Sequence, residues 1–265
     1  MSAIAKQKKK RSVASIIINI IIILLVIVIA VCAYKLLSYY IGNAKEEKAF
    51  DQVRMPTVAE ETTITDADIV AHYKDLLAQN ADFVGWITMP GTQIDYPVMQ
   101  TISDPEFYLK RDFSKEDSSK GTPFMSERST AIPQSLSMLI FGHHWKDGSM
   151  FQNLDKFKEP DYFDTHKTII FDTVEYRAEF EVIGAVVTDW TGDNDSFKVY
   201  SFDNNGDEAY YNDYLAQVKS RSIIQSDFEP TYPQKLIALS TCEYSRKNGR
   251  IVVIGAEVNH HEWET

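Results

Sequence analysis

The stretch from Val13 to Tyr34 constrains this chain most, because it carries no formal charge and is apolar apart from Ser15 and Asn19. A helix rising ~1.5 Å per residue over that length spans roughly 33 Å, enough for the hydrocarbon core of a bilayer. The run therefore separates an anchor from a body. Lys6, Lys8, Lys9, Lys10 and Arg11 precede it and Lys35 follows. The positive-inside bias then puts the N-terminus in the cytoplasm and the body outside, as a single-pass protein of the cell membrane. A cleaved signal peptide is the competing reading, but such peptides have a shorter apolar core and a small-residue cleavage site, and Cys32–Leu37 has no clean A-x-A pattern. The expected organisation is a cytoplasmic basic tail over 1–12, a transmembrane anchor over 13–34, a linker over 35–65 and an extracellular domain over 66–265.

Charge narrows the partners. Residues 1–35 hold six basic side chains and no acidic ones, which leaves a net charge of about −17 on the rest. An acidic body repels a phosphate backbone, so nucleic acid is excluded as a partner class.

Within the body, Thr65-Asp66-Ala67-Asp68 has the form of a capping box, and Ile69, Tyr73, Leu76 and Leu77 follow at helical spacing. A helix is expected over 66–79. From Val84 the pattern changes to short strands: 84–89 and 94–99 around the turn Pro90-Gly91-Thr92, then 138–141, 168–172 and 176–189. In the last of these Tyr176, Ala178, Phe180 and Val182 alternate with Arg177, Glu179 and Glu181, the mark of a half-buried antiparallel strand. Helical spacing returns over 207–219, and strands over 235–241 and 250–258 end the pattern. About eight short strands with two or three helices point to a mixed, mainly β, closed or nearly closed barrel.

Of the two cysteines, Cys32 lies in the apolar run, which leaves Cys242 alone in the body. By count alone, an inert buried thiol and a reactive one are equally good readings. Position favours the reactive one. Cys242 stands where the apolar run Leu236–Thr241 stops, at a strand end. The next strand begins at Arg250, so a hairpin would set Cys242 and Arg250 face to face. A guanidinium there favours thiolate or holds an oxyanion. His143 and His144 follow another apolar run, Met138–Phe141, and Gly142. A histidine at that strand end could serve as proton carrier to the cysteine, although periodicity does not choose between the two. Adjacent histidines without wider-spaced Cys or His partners do not make a metal site, and neither metal nor cofactor is expected.

Together these residues resemble a known family. Leu239-Ser240-Thr241-Cys242, with Arg250 eight residues on, resembles the Leu-x-Thr-Cys signature of sortases and its essential arginine. Phe141–Phe151 resembles the histidine segment of class B sortases. Val84-Gly85-Trp86-Ile87, Pro90-Gly91-Thr92, Ile94–Val98 and Tyr108–Phe113 resemble further segments of that class, as does the helix before the cysteine strand. The resemblance implies a sortase-like barrel with Cys242 as nucleophile, His143 rather than His144 as the catalytic histidine, and Arg250 as oxyanion and substrate-positioning group. Thr241 would line the substrate groove, with Ser240 and Glu243 beside it, and a backbone N–H near Cys242 or Glu243 would assist Arg250. Ala238 departs from the Thr often found there. The implied activity is transpeptidation: cleavage of a C-terminal sorting signal of exported proteins after Thr, through a thioacyl-enzyme, and transfer to an amine of peptidoglycan or its lipid-linked precursor. Pilus polymerisation through a Lys amine, or release to water by a cysteine protease, are the alternatives.

Overall fold

The computed structural model describes residues 13–55, 64–189, 202–245 and 248–264, and the chain divides into two compact units, Met1–Lys48 and Ala49–Thr265. The basic tail lies outside the described residues. The first unit is the helix α1 (Val13–Val53) up to Lys48. Its apolar side chains from Ile17 to Leu37 are exposed all round, and it is long and apolar enough to cross a membrane. The helix does not stop at Tyr34 but continues through the first part of the expected linker. Its end already belongs to the second unit, where Phe50 meets the Tyr96 ring edge-on and Val53 is buried.

In the second unit α2 (Asp66–Gln79) starts as its sequence dictates. The Thr65 side chain accepts from Asp68 N–H, and the Asp68 carboxylate accepts from the Thr65 backbone. Eight strands follow: β1 (Phe83–Thr88), β2 (Asp95–Met99), β3 (Phe124–Met125), β4 (Ser137–Phe141), β5 (Thr168–Asp172), β6 (Tyr176–Asp189), β7 (Leu236–Cys242) and β8 (Gly249–Glu262). They close a barrel in the order β1-β2-β3-β4-β7-β8-β6-β5. Two of the neighbouring pairs, β2/β3 and β4/β7, are parallel, and the rest are antiparallel. A short helix, α3 (Tyr162–Thr165), leads into β5, and α4 (Glu208–Arg221) precedes β7.

The strands differ in how many faces they bury. Ile237 and Leu239 of β7, with Ile251 and Val253 of β8, point into the barrel among Ile87, Met138, Phe171 and Phe180. Leu236, Ala238, Val252 and Ile254 point outward and are covered by Tyr211, Tyr214 and Val218 of α4. Strands buried on both sides read as continuous apolar runs, which is why these segments show no alternation in the sequence. Two differences from the expected strands stand out. The two-residue β3 has too little sequence to carry a period. The last strand reaches Glu262 instead of stopping near Val258, because Asn259–Glu262 still pair with β6 while their side chains face solvent.

One buried charge stitches α2 to the barrel. The Asp172 carboxylate accepts two bonds from Arg177, at 2.8 and 2.7 Å, and a third from the Tyr73 hydroxyl at 3.0 Å. Asp172 is almost fully buried, so removing its cation strands a charge. Arg177→Met should therefore destabilise the second unit by about 3 kcal/mol. Urea unfolding at neutral pH, compared with the unaltered protein, measures it.

Candidate active site

The site is built where three adjacent strands end. The parallel register of β4 and β7 runs from Ser137↔Leu236 to Phe141↔Ser240, and Gly142 N–H then donates to Ser240 O at 3.0 Å. Parallel strands leave a sheet at the same rim, so the chain after Phe141 and the chain after Ser240 emerge together. The Thr241 hydroxyl donates to Gly142 O at 2.7 Å and extends the link by one step. His143 and Cys242 are the residues that directly follow this bonded pair, Gly142 and Thr241, on the two chains. On its other side Cys242 is the direct cross-strand partner of Arg250. Residues opposed in this way carry side chains on the same face, with Cβ atoms roughly 5 Å apart. Since Ile251 points into the barrel, Arg250 and Cys242 point outward. His143, Cys242 and Arg250 thus follow one another in a row along the rim, at the ends of the neighbouring strands β4, β7 and β8, each half-buried.

His143 is held from two directions. Its backbone O accepts from Phe151 N–H at 2.9 Å, and its ring Nε2 lies 2.8 Å from Leu109 O. A carbonyl oxygen can only accept, so Nε2 carries the proton and Nδ1 has the lone pair of the neutral ring. The loop between His143 and Phe151 is braced as well. Met150 N–H donates to the Tyr96 hydroxyl, and the Asp147 carboxylate accepts from the Ser149 N–H and hydroxyl and from the buried Lys120 ammonium. Burial pushes the Asp147 carboxyl upward, but these partners outweigh it and hold it below the ordinary carboxylate range. His144 takes a different direction. Its ring lies edge-on to Tyr244 with centroids 5.0 Å apart, both nitrogens are buried without a hydrogen-bond partner, and Nε2 is 3.9 Å from Asp155 Oδ2.

Ser240, Thr241 and Glu243, the residues expected to bind substrate, lie around Cys242 on β7 and its exit. Ser240, Thr241 and Glu243 are all buried. The Thr241 hydroxyl is engaged with Gly142. The Glu243 carboxylate is ion-paired with Lys158 and accepts from the Ser245 N–H at 2.9 Å and the Ser245 hydroxyl at 2.7 Å. Its backbone N–H donates to Gly249 O at 2.8 Å, which removes it as an oxyanion donor. Burial raises the Glu243 pKa, but Lys158 and Ser245 outweigh it and the net shift is downward. Stability from this pair is therefore complete above the unfolded carboxyl pKa, ~4.3, and is lost only as pH falls through the lower folded value. Two residues beside the site lacked any signal in the sequence. Lys158 reaches it from the 3-10 helix Gln152–Lys158, and Tyr244 stands exposed next to Cys242. Partial desolvation and the charge of Cys242 raise the Tyr244 pKa against the opposing pull of Arg250, so the phenol lies within electrostatic reach of both. Among the described residues no cluster of His, Cys, Asp or Glu could hold a metal ion.

Comparison with known proteins gives the chain its relatives. Residues 87–258 match the model of the sortase domain. The chain is 30% identical to a protein named sortase B from Staphylococcus aureus over 85% of this chain and 90% of that one. It is also 30% identical to a sortase B from Listeria monocytogenes, over 73% and 77%. Among solved structures, sortase B from B. anthracis superposes with a TM-score of 0.68 at 28% identity, covering 84% of this chain and 99% of that one. A Staphylococcus aureus sortase B–substrate complex gives 0.63 at 31% identity, over 71% and 85%. A sortase B complexed with triglycine gives 0.62 at 30% identity, over 72% and 87%.

The strand exit at Gly142 has no room for a side chain, since an added Cβ would meet the Phe151 ring at 2.6 Å. Phe151 is fully buried and cannot retreat into solvent. Gly142→Ala should cost about 1–3 kcal/mol by overpacking. Thermal unfolding read from near-ultraviolet circular dichroism checks it, and an unchanged midpoint would show that Phe151 yields freely.

Proposed function

The chain belongs to the sortase family, in its class B, and is a cysteine transpeptidase; from that premise we propose that it joins exported proteins to a cell-wall amine with Cys242, His143 and Arg250 as its catalytic residues. The observation that supports this reading is the register that gathers three strand ends, from β4, β7 and β8, into one row. In the first half-reaction the Cys242 thiolate attacks the Thr carbonyl carbon of a C-terminal sorting signal. Arg250 donates to the resulting oxyanion, and removal of one such donor costs roughly 3 kcal/mol of transition-state stabilisation. The C–N bond breaks as the imidazolium of His143 protonates the departing amine, which leaves a thioacyl-enzyme. In the second half-reaction a primary amine attacks the thioester carbon, neutral His143 takes its proton, and the thiolate departs from the new amide. With Nε2–H held by Leu109 O, Nδ1 is the nitrogen that carries the proton in both directions.

The relative solved with triglycine supports an acceptor whose amine belongs to a glycine-type cross-bridge or its lipid-linked precursor. The relative solved as a substrate complex supports recognition of an extended peptide along the same rim. The apolar helix α1 supports tethering of the enzyme at the membrane, with the basic residues before it on the cytoplasmic side and the barrel outside, beside freshly exported substrates. The proposed domains are a basic tail over 1–12, an anchor over 13–34, a linker and an external catalytic domain that includes 66–265.

The reading is tested with a library of sorting-signal peptides, triglycine as acceptor, and mass spectrometry of the products. The expected product is an amide between the signal Thr and the added glycine. Cys242→Ala should abolish cleavage, and His143→Ala and Arg250→Ala should each lower kcat/KM by about a hundredfold or more. His144→Ala should lower it far less. A product that is only the free acid, at a rate indifferent to triglycine, would identify a protease instead.

A further inference from the structure

Lys158 has no part in the chemistry described so far, yet it sits between the two halves of the site. The 3-10 helix that carries it begins directly after Phe151, whose N–H holds His143 O. Asp155, on the same helix, faces His144 Nε2 across 3.9 Å. At the helix end, Lys158 Nζ lies 2.6 Å from Asp155 Oδ1 and is also paired with the buried carboxylate of Glu243, the residue after Cys242. Glu243 is only 2% exposed at its side chain, and Ser245 bonds to both of its oxygens. One short helix is therefore tied to the histidine loop at its start and to the cysteine strand at its end.

We infer that Lys158 is a positioning residue, whose ion pairs with Glu243 and Asp155 set the spacing between Cys242 and His143. This rests on the catalytic assignments proposed above. Beyond Gly142 the ladder between β4 and β7 has stopped, and the Thr241–Gly142 bond joins the two exits behind the reacting groups. The Lys158 bridge joins them again further along the chain, and the two ties enclose the residues that must meet. Misplacement of reacting groups by ~1 Å costs about a hundredfold in rate, so a loosened bridge acts on kcat. A purely structural role makes a different forecast: Lys158 would only neutralise a buried carboxylate, and removing both charges together would leave catalysis intact.

The double variant Lys158→Met/Glu243→Gln separates the two. It leaves no unpaired charge at position 243, the Asp155 side chain remains partly exposed to solvent, and Gln can still accept from Ser245, so the variant is expected to fold. The full chain in detergent is assayed with signal peptide and triglycine, alongside both single variants, Lys158→Arg and thermal unfolding. The expected result is a fall in kcat of about tenfold or more with KM within about twofold, single-variant losses that do not add, and recovery of most of the rate in Lys158→Arg. A double variant with the unaltered kcat, losses that add, or a change confined to KM would overturn the inference. Cys242→Ala is run in parallel: if it retains transfer, the catalytic reading itself fails. If it is dead while the double variant is fully active, only the bridge is lost.

Discussion

The site depends on the parallel pairing of β4 with β7. Strands distant in sequence that pair antiparallel would release their following loops at opposite rims, and the histidine and the cysteine would be a strand length apart. Because these two run the same way, Gly142 and Thr241 leave the sheet side by side and are bonded to each other. The antiparallel β7/β8 hairpin then adds Arg250 at no further topological cost, since a hairpin returns at the rim where it turns. A parallel pair needs a long connection, and here β5, β6 and α4 all lie between the two strands in sequence. Those elements are used in turn: β5 and β6 close the barrel, and α4 covers the outer face of the strands that carry the site.

Rigidity around the row follows from burial on both faces. β7 is packed from inside by the barrel core and from outside by α4 until Ser240, and the covering ends where Cys242 becomes partly exposed. The sulfur is therefore presented by a strand that cannot shift register without moving apolar side chains on both sides. His143, by contrast, sits on a loop. It is fixed by a set of polar contacts, with Leu109, Tyr96 and the Lys120–Asp147 pair each engaging a different part of that loop.

The row of strand-end residues was legible because a change of pattern is visible there: Ile-Ala-Leu-Ser-Thr before Cys242, Met-Leu-Ile-Phe before Gly142. The barrel, α2 with its cap and α4 were legible for the same reason, as their periods are long enough to count. What escaped was of two kinds. β3 and the outer end of β8 are held by backbone pairing that leaves little trace in side-chain pattern. Lys158 and Asp155 lie far along the chain from Cys242, and a lysine on a short 3-10 helix looks like any surface lysine. The buried pairing of Glu243 escaped for a related reason. Alternation along the strand turns its carboxylate into the protein, where Lys158 and Ser245 meet it.

The body is acidic overall, so the charges placed beside Cys242 matter. A carboxylate one residue from the nucleophile would raise the cost of forming a second negative charge if it stood unpaired. Here its charge is balanced by Lys158 on the inner side, while Arg250 stands on the outer side as the cross-strand neighbour of Cys242. A cation thus stands across the strand pair from Cys242, although acidic residues outnumber basic ones in the chain as a whole. The buried ion pair with Lys158 is what lets Glu243 occupy the place next to Cys242 with its charge balanced.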